Sequence, residues 1–300
     1  MFSIDFYINE IKQNEPSINI ETIHILGEGM RSIVFDVNNK WAFRFAKNNV
    51  SSLDLIKEMK ILPYINSKVS LAIPTFDFVG KQTNGLYYVG YEKLPGELLE
   101  EDAIEKLNQF QVQNLNLSLS QFIRQLHSIS IDASIHQAVP KVNLKDKIIK
   151  LYKEANEKVF PLLDEKTKEY ISGRIYNYLN NQHYHIYNPK LIHGDLSPDH
   201  FLINPKTGTL TGIIDFGDLC ICDPDYEFIY IMEDCGKAFT RDLLASLRYS
   251  KVDETLTKIS YFVTFDQIQY TLDGIIRNQN DWIEEGLYEL RKDMEANTEL

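Results

Sequence analysis

The sequence predicts an α+β fold of two lobes: a small β-rich lobe over residues 1–93 and a larger, mainly helical lobe over 94–300. Between residues 20 and 94, short β-branched and aromatic runs are split by turn residues, as strands of a sheet are. After Pro95-Gly96 the apolar residues recur at helical spacing instead. The length of 300 residues suits one large domain or two lobes sharing a cleft.

In chain order, IHILGEG, SIVFDV, WAFRFAK and LYYVGYEKL read as strands. Between the third and fourth, SLDLIKEMKILPYI places Leu55, Met59 and Leu62 at helical spacing, with Pro63 close behind as a stop signal. The second lobe opens with a helix carrying Leu115, Leu119, Phe122, Leu126 and Ile129 on one face. Two further helices fill 143–182 with a break at Pro161, and others are expected over 237–249, 255–276 and 280–296. Only FLIN and LTGIID, joined by the turn Pro205-Lys206-Thr207-Gly208, read as strands there. No internal repeat or low-complexity tract interrupts the pattern.

The composition, 44% hydrophobic and 25% charged, is that of an ordinary globular protein. No stretch approaches the roughly 18 consecutive apolar residues of a membrane span. The opening MFSIDFYINEIK carries acids where a signal peptide carries basic residues, so the expected location is the cytoplasm. Cys220, Cys222 and Cys235 are an odd set without paired metal-ligand spacing, which fits reduced thiols packed in the fold. A net charge of −12 argues against a nucleic-acid partner, because phosphate backbones are held by clustered Lys and Arg. Such acidity serves solubility. The expected state is a monomer with no membrane partner.

The strongest chemical signal is His193-Gly194-Asp195-Leu196-Ser197-Pro198-Asp199-His200, followed twenty positions after Asp195 by Asp215-Phe216-Gly217-Asp218. Either half alone is weak; the two in this order, joined by a short hairpin and preceded by a β-rich lobe, are specific. Phosphoryl transfer needs a carboxylate to receive the hydroxyl proton and ligands that hold magnesium against the phosphates. Asp195 suits the first task. Asp215, ending the apolar run Gly212-Ile213-Ile214, suits the second. His200 stands five residues after Asp195, where protein kinases place a metal-binding Asn.

HGDLSPDH, IIDFGD and DPDYEF resemble the motifs of the aminoglycoside phosphotransferases, in particular the 2″-O-phosphotransferases, and the resemblance covers most of the chain. It implies a protein-kinase-like fold and an antibiotic-resistance enzyme. The implied reaction moves the γ-phosphoryl of Mg-GTP or Mg-ATP directly to an aminoglycoside hydroxyl, expected at 2″. It also implies Asp195 as the catalytic base, and His200 and Asp215 as magnesium ligands. Magnesium prefers oxygen, so a second reading of His200 stands beside the first: a side chain that hydrogen-bonds and orients the loop. Two other functions share the motifs. One is another small-molecule kinase acting on choline, a macrolide or an amino sugar; the other is a nucleotide-binding pseudokinase, against which Asp195 and Asp215 argue.

In the first lobe, Leu26-Gly27-Glu28-Gly29-Met30-Arg31-Ser32 lies between two expected strands, where Gly27, Gly29 and Ser32 can face nucleotide phosphates; a plain hairpin turn is the alternative. Protein kinases carry Lys two residues after an Ala on the third strand, and here Ala42-Phe43-Arg44 puts Arg in that slot. Strand alternation places Ala42, Arg44 and Ala46 on one face and Trp41, Phe43, Phe45 and Lys47 on the other. Arg44 can bridge the phosphates and the helix carboxylate Glu58, with Lys47 as runner-up. Gly90-Tyr91-Glu92-Lys93-Leu94-Pro95-Gly96 is expected to be the hinge, offering the main chain of Glu92 and Leu94 to the purine edge. Tyr91 is either a bulky selector for GTP at the back of the purine pocket or ordinary strand packing.

Aminoglycosides carry several ammonium groups, so their site needs carboxylates. Asp218 and the pair Glu233-Asp234, which ends the run Phe228-Ile229-Tyr230-Ile231-Met232, are the candidates. Asp281, Glu284 and Glu285 suit a solvated helix start, with an addition to this acidic wall as the alternative. Asp223 and Asp225 are expected to brace the catalytic loop, and His127 to be a core residue.

Overall fold

In the computed structural model, which describes residues 3–99 and 103–298, the early apolar runs pair as one antiparallel sheet. Its strands are β1 (Ile23–Glu28), β2 (Ser32–Val37), β3 (Trp41–Ala46), β4 (Phe76–Lys81) and β5 (Tyr87–Glu92), in the order β1-β2-β3-β5-β4. The register places Val34, Arg44 and Val89 side by side, and Asp36, Ala42 and Tyr91 beside them on the same face. On the other face Phe35, Phe43, Phe45 and Tyr88 form a fully buried aromatic layer. This is the alternation expected for β3. A helix not foreseen from the sequence, α1 (Ile4–Asn14), covers the aromatic face, with the Tyr7 ring 4.8 Å from Phe35 and 5.0 Å from Phe45. Each large side chain buried there contributes about 1.5–3 kcal/mol.

Helix α2 (Asn49–Asn66) lies against the Arg44 face, where Leu55 packs with Ala46 and Val89. Asn48 starts it by accepting the Ser51 N–H at 3.0 Å. The helix runs through Pro63, which the sequence suggested as its end. Pro63 forfeits one helical hydrogen bond, and the burial of Ile61, Leu62 and Ile65 around it outweighs that loss.

The chain divides into two compact units. The first comprises the residues up to Val139 together with Asp199–Leu219. Besides the sheet, α1 and α2 it holds β6 (Glu97–Leu98), α3 (Ala103–Lys106), α4 (Gln109–His127), α5 (Ala133–Ala138), β8 (Phe201–Ile203) and β9 (Leu210–Ile213). β6, β8 and β9 form a three-stranded sheet, and the β8–β9 hairpin is the one expected from FLIN and LTGIID. Helix α4 buries Leu115, Leu119, Phe122 and Leu126, and His127 sits half-buried at its end.

The second unit comprises Pro140–Pro198 and the chain from Cys220 onward. It holds α6 (Leu144–Lys158), α7 (Glu165–Asn180), β7 (Lys190–Ile192), β10 (Cys220–Cys222), α8 (Ile229–Ser246), α9 (Val252–Arg277) and α10 (Asn280–Thr298). α6 and α7 are separated by a 3-10 turn at Phe160–Leu162, as Pro161 suggested. α8 starts earlier than expected and kinks at Gly236 (φ 82°), so the helix read over 237–249 is its second half. Ile148, Leu151, Ile171, Ile175, Phe262, Phe265 and Ile268 meet in one core. Among the described residues no helix is long and apolar enough to cross a membrane.

Candidate active site

Arg44 is the hub of the first unit's polar residues. It is 7% exposed, and its Nη1 donates to both oxygens of Glu58 at 3.1 and 3.2 Å. Its Nη2 donates to Asp215 Oδ1 at 2.8 Å, and its Nε reaches Ser32 Oγ at 3.3 Å. Strand β3, helix α2, the turn after β9 and the start of β2 thus supply one side chain each. Burial works against the Arg44 charge, but Glu58 and Asp215 outweigh it and hold its pKa above the usual value. Burial pushes Glu58 up to about 7, with Arg44 pulling the other way. Lys47 points elsewhere, donating to Glu28 Oε1 at 2.6 Å and the Gly29 carbonyl at 2.7 Å.

Asp215 has a left-handed backbone (φ 60°, ψ 69°), a conformation uncommon for a residue with a side chain and held here by its surroundings. The Ile214 N–H donates to the His200 carbonyl at 3.1 Å, which sets the two residues side by side. His200 Nε2 then lies 3.9 Å from Asp215 Oδ2. That is too long for a hydrogen bond and shorter than the roughly 4.2 Å that one magnesium ion can bridge at 2.0–2.1 Å per ligand. Among the described residues no group of three or more His, Cys, Asp or Glu side chains gathers to hold a metal. Phosphate oxygens and water must complete any magnesium shell, as is usual for this ion.

The turn from β1 into β2 closes on a Gly29 N–H to Ser32 carbonyl bond of 3.0 Å. A Cβ added at Gly27 or Gly29 would meet nothing within 4 Å, so packing inside the chain does not require glycine at either position. Asp218 accepts two bonds of 2.9 Å from Arg31 of this loop. Tyr91 is 8% exposed and packs on Phe76 with ring centroids 5.9 Å apart. Burial, above the opposing pull of Arg44, raises its phenol to about 12. The Glu92 N–H donates to Asp77 at 3.3 Å. No hydrogen bond among the described residues engages the Leu94 main chain.

In the second unit, β7 pairs with β10 and delivers the chain into His193-Gly194-Asp195. Gly194 has φ 83°, a left-handed turn that a side chain would strain. Glu227, 1% exposed, holds this turn: its Oε1 accepts the His193 N–H and its Oε2 the Gly194 N–H, each at 3.1 Å. Asp223 and Asp225, expected to brace the loop, instead hold Lys258 of α9 at 2.6 and 2.8 Å. Asp195 is half-buried and close enough to Tyr230 to act on its phenol, whose pKa is raised by burial, then Asp266, Tyr226 and Asp195. Tyr230 donates to Asp266 at 3.2 Å, and Gln267 donates to Glu233 on the first half of α8. Glu233 and Asp234 are exposed. Although the residue's surface is exposed, crowding around its carboxyl, then Asp266 and Asp234, pushes Glu233 up to about 8.

Residues 22–256 match the model of the phosphotransferase enzyme family, well over half of the chain. The chain belongs to that family. Its structure is similar to the GDP complex of aminoglycoside 2'-phosphotransferase-IIIa, at 41% identity and a TM-score of 0.94, covering 97% of this chain and 98% of the other. A GDP and kanamycin complex of APH(2")-IIIa is similar at 42% identity and a TM-score of 0.93, with 97% and 98% covered. The macrolide 2'-phosphotransferase MphH from Brachybacterium faecium shares the fold, with a TM-score of 0.73, 14% identity, and 95% and 98% covered.

This phosphotransferase is therefore a nucleotide-dependent kinase acting on a hydroxyl, with an α+β kinase-like fold. Glu227 and Arg31 were not singled out from the sequence. The only trace of Glu227 there is its place in DPDYEF, and nothing local marks Arg31 as the partner of Asp218.

Proposed function

We propose that this phosphotransferase transfers the γ-phosphoryl of GTP or ATP to an aminoglycoside hydroxyl, at 2″, and so confers antibiotic resistance. The observations that carry the reading are the Arg44–Asp215–His200 arrangement in the first unit and the Asp195 turn held by Glu227 in the second. Support for the acceptor comes from the kanamycin-bound APH(2")-IIIa, at 42% identity over 97% of this chain.

In this reading Asp195 receives the acceptor's hydroxyl proton as its oxygen attacks the γ-phosphorus and the bond to the nucleoside diphosphate breaks. No covalent enzyme intermediate forms. Arg44, with a permanent charge and a forked donor set, serves the phosphates while Glu58 orients it. Gly27, Gly29 and Ser32 face the phosphates; open space at both glycines is what close approach of a ligand to the backbone requires. Asp215 and His200 would hold magnesium, which when bound neutralises charge developing on the phosphates. The Leu94 main chain, with Glu92 beside it, takes the purine edge, and Tyr91 at the back of that pocket favours GTP.

Glu233 and Asp234 receive acceptor ammonium groups, with the neighbouring Asp266 extending the anionic surface within the second unit. Asp218 joins that set only if an acceptor ammonium exchanges with Arg31. We assign residues 1–93 to a nucleotide-binding lobe and 94–300 to a catalytic and substrate-binding lobe of a cytoplasmic monomer. The test is a panel of GTP and ATP against kanamycin, gentamicin, choline and erythromycin. Turnover with the aminoglycosides alone, faster with GTP, is expected; turnover with choline or erythromycin alone would replace the acceptor assignment. Equal kcat/KM for the two nucleotides would remove Tyr91 from the selection of donor.

A further inference from the structure

The turn Gly29–Arg31 between β1 and β2, with the end of β1 that leads into it, buries little apolar surface, since Leu26 and Met30 are 43% and 45% exposed. Beyond the β1–β2 ladder, polar ties hold this turn: Lys47 donates its ammonium to the Gly29 carbonyl and its N–H to the Arg31 carbonyl, at 2.7 and 2.9 Å. At its tip Arg31 Nη1 donates to both carboxylate oxygens of Asp218 at 2.9 Å and lies 3.7 Å from Asp54 Oδ2 on α2. Lys57 on the same helix stands 3.5 Å from Asp54 Oδ1 and donates to the Gly217 carbonyl. Loop, helix and the turn after Asp215 are thereby cross-linked through five residues of the first unit. The carboxylate of Asp218 is spent on the guanidinium that faces it.

We propose that Arg31 and Asp218 form a positioning pair for the nucleotide, holding the Leu26–Ser32 loop at the turn that carries Asp215, and that Asp218 acts through Arg31 rather than by receiving the acceptor. This rests on the reading of that loop as the phosphate-binding one. Two physical points follow. A single guanidinium nitrogen is shared between both carboxylate oxygens, a charge-assisted contact that ties the loop to the turn. Its side chains are 49% and 41% exposed, so its strength is modest and screened by salt. Loss of either partner therefore loosens the loop without unfolding the sheet beneath it.

The experiment uses the full chain and mantGDP as the probe, with release followed by stopped flow in Arg31→Gln, Asp218→Asn and the double variant. Each single change is expected to speed release about two- to five-fold, the range that an exposed ion pair supports. The double variant should be no faster than the faster single one, because both changes remove the same interaction. High salt should shrink the difference from the unmodified protein. In steady state the nucleotide KM should rise in all three variants while the kanamycin KM stays the same, a split that a general loss of stability would not produce. Additive effects on release, or a raised kanamycin KM in Asp218→Asn with unchanged nucleotide release, would overturn the proposal. Failure of the unmodified protein to bind mantGDP would instead remove the phosphate-loop reading and the proposal with it.

Discussion

Arg44 Nη2 donates to Asp215 Oδ1 at 2.8 Å, joining a residue of the third strand to one that lies 171 positions later in the chain. Asp215 is thereby held in its left-handed turn with its second oxygen turned towards His200. The same guanidinium neutralises Glu58, which is 1% exposed. Three polar side chains are fixed by one cation, so the cation's removal exposes how each was supported.

Arg44→Ala should be destabilising in a pH-dependent way. Burial already raises Glu58 to about 7, and loss of Arg44 removes the influence that lowers it. A carboxyl with a folded pKa above its unfolded value, about 4.3, favours the fold below that value. It loses this contribution as pH rises through the folded value. The loss in the variant should be small near pH 6, where Glu58 takes a proton, and should reach roughly 3–5 kcal/mol above pH 8, where a buried charge stands alone. Urea unfolding at the two pH values measures this; a pH-independent loss would show that Glu58 is not buried against Arg44.

Asp215→Ala should abolish magnesium-dependent binding of nucleotide, and His200→Ala should weaken it. His200→Asn supplies an oxygen ligand and should keep much of the activity. Calorimetric titration of nucleotide with and without magnesium separates the cases. A dead His200→Asn variant with an unchanged magnesium response would assign His200 to loop orientation instead.

Glu227→Gln leaves one acceptor for two N–H groups and turns an amide NH2 towards the other. With the carboxylate buried, losing one charge-assisted bond should cost about 1.5–3 kcal/mol of stability. Displacement of the Asp195 turn should lower kcat by about tenfold or more, as small misplacements of a catalytic group do. The nucleotide KM should change little. Unfolding and steady-state kinetics on the same preparation check both, and an unchanged kcat would mean that the turn keeps its shape without Glu227.

Glu233 is raised to about 8 by its crowded surroundings, Asp266 and Asp234, so near neutral pH it holds a proton for much of the time. A neutral carboxyl is a poor partner for an ammonium group, and the aminoglycoside KM should fall as pH rises from about 6 towards 8. Glu233→Gln should flatten that dependence. For stability the sign is the reverse: a raised folded pKa favours the fold at low pH and opposes it above about 8, so Glu233→Gln should raise Tm at alkaline pH. Glu233 is exposed, and solvent limits the size of that gain. KM profiles and thermal scans over this range decide both signs.

Asp195, Asp215 and His200 stood out in the sequence because they fall in two short motifs at a set spacing. Arg44 was legible through strand alternation, since β3 has only two faces and the aromatic residues occupy one. Glu227 was not, because it acts through both carboxylate oxygens on main-chain N–H groups, and amide donors leave no mark in a sequence. Arg31 and Asp218 are 187 positions apart, and each reads locally as a solvated surface charge. The fold was missed where short elements owe their form to packing: α1 is set by Tyr7 and Ile11 under the sheet, and β4 by pairing with β5. α8 was read short because its first half, ending near Glu233, looks like a plain apolar run until the kink at Gly236 divides it.

The central claim is direct transfer to an aminoglycoside hydroxyl with Asp195 as the base, and the most direct measurement is the GTP-dependent modification of kanamycin by the unmodified protein and by Asp195→Asn, with the product mapped by NMR. One phosphate on the 2″ oxygen for each GTP consumed is expected from the unmodified protein. Asp195→Asn should form the same product at least about a hundredfold more slowly, with nucleotide affinity nearly intact. Near-normal turnover by a folded Asp195→Asn variant, or GTP consumption that leaves kanamycin unmodified, would contradict the account.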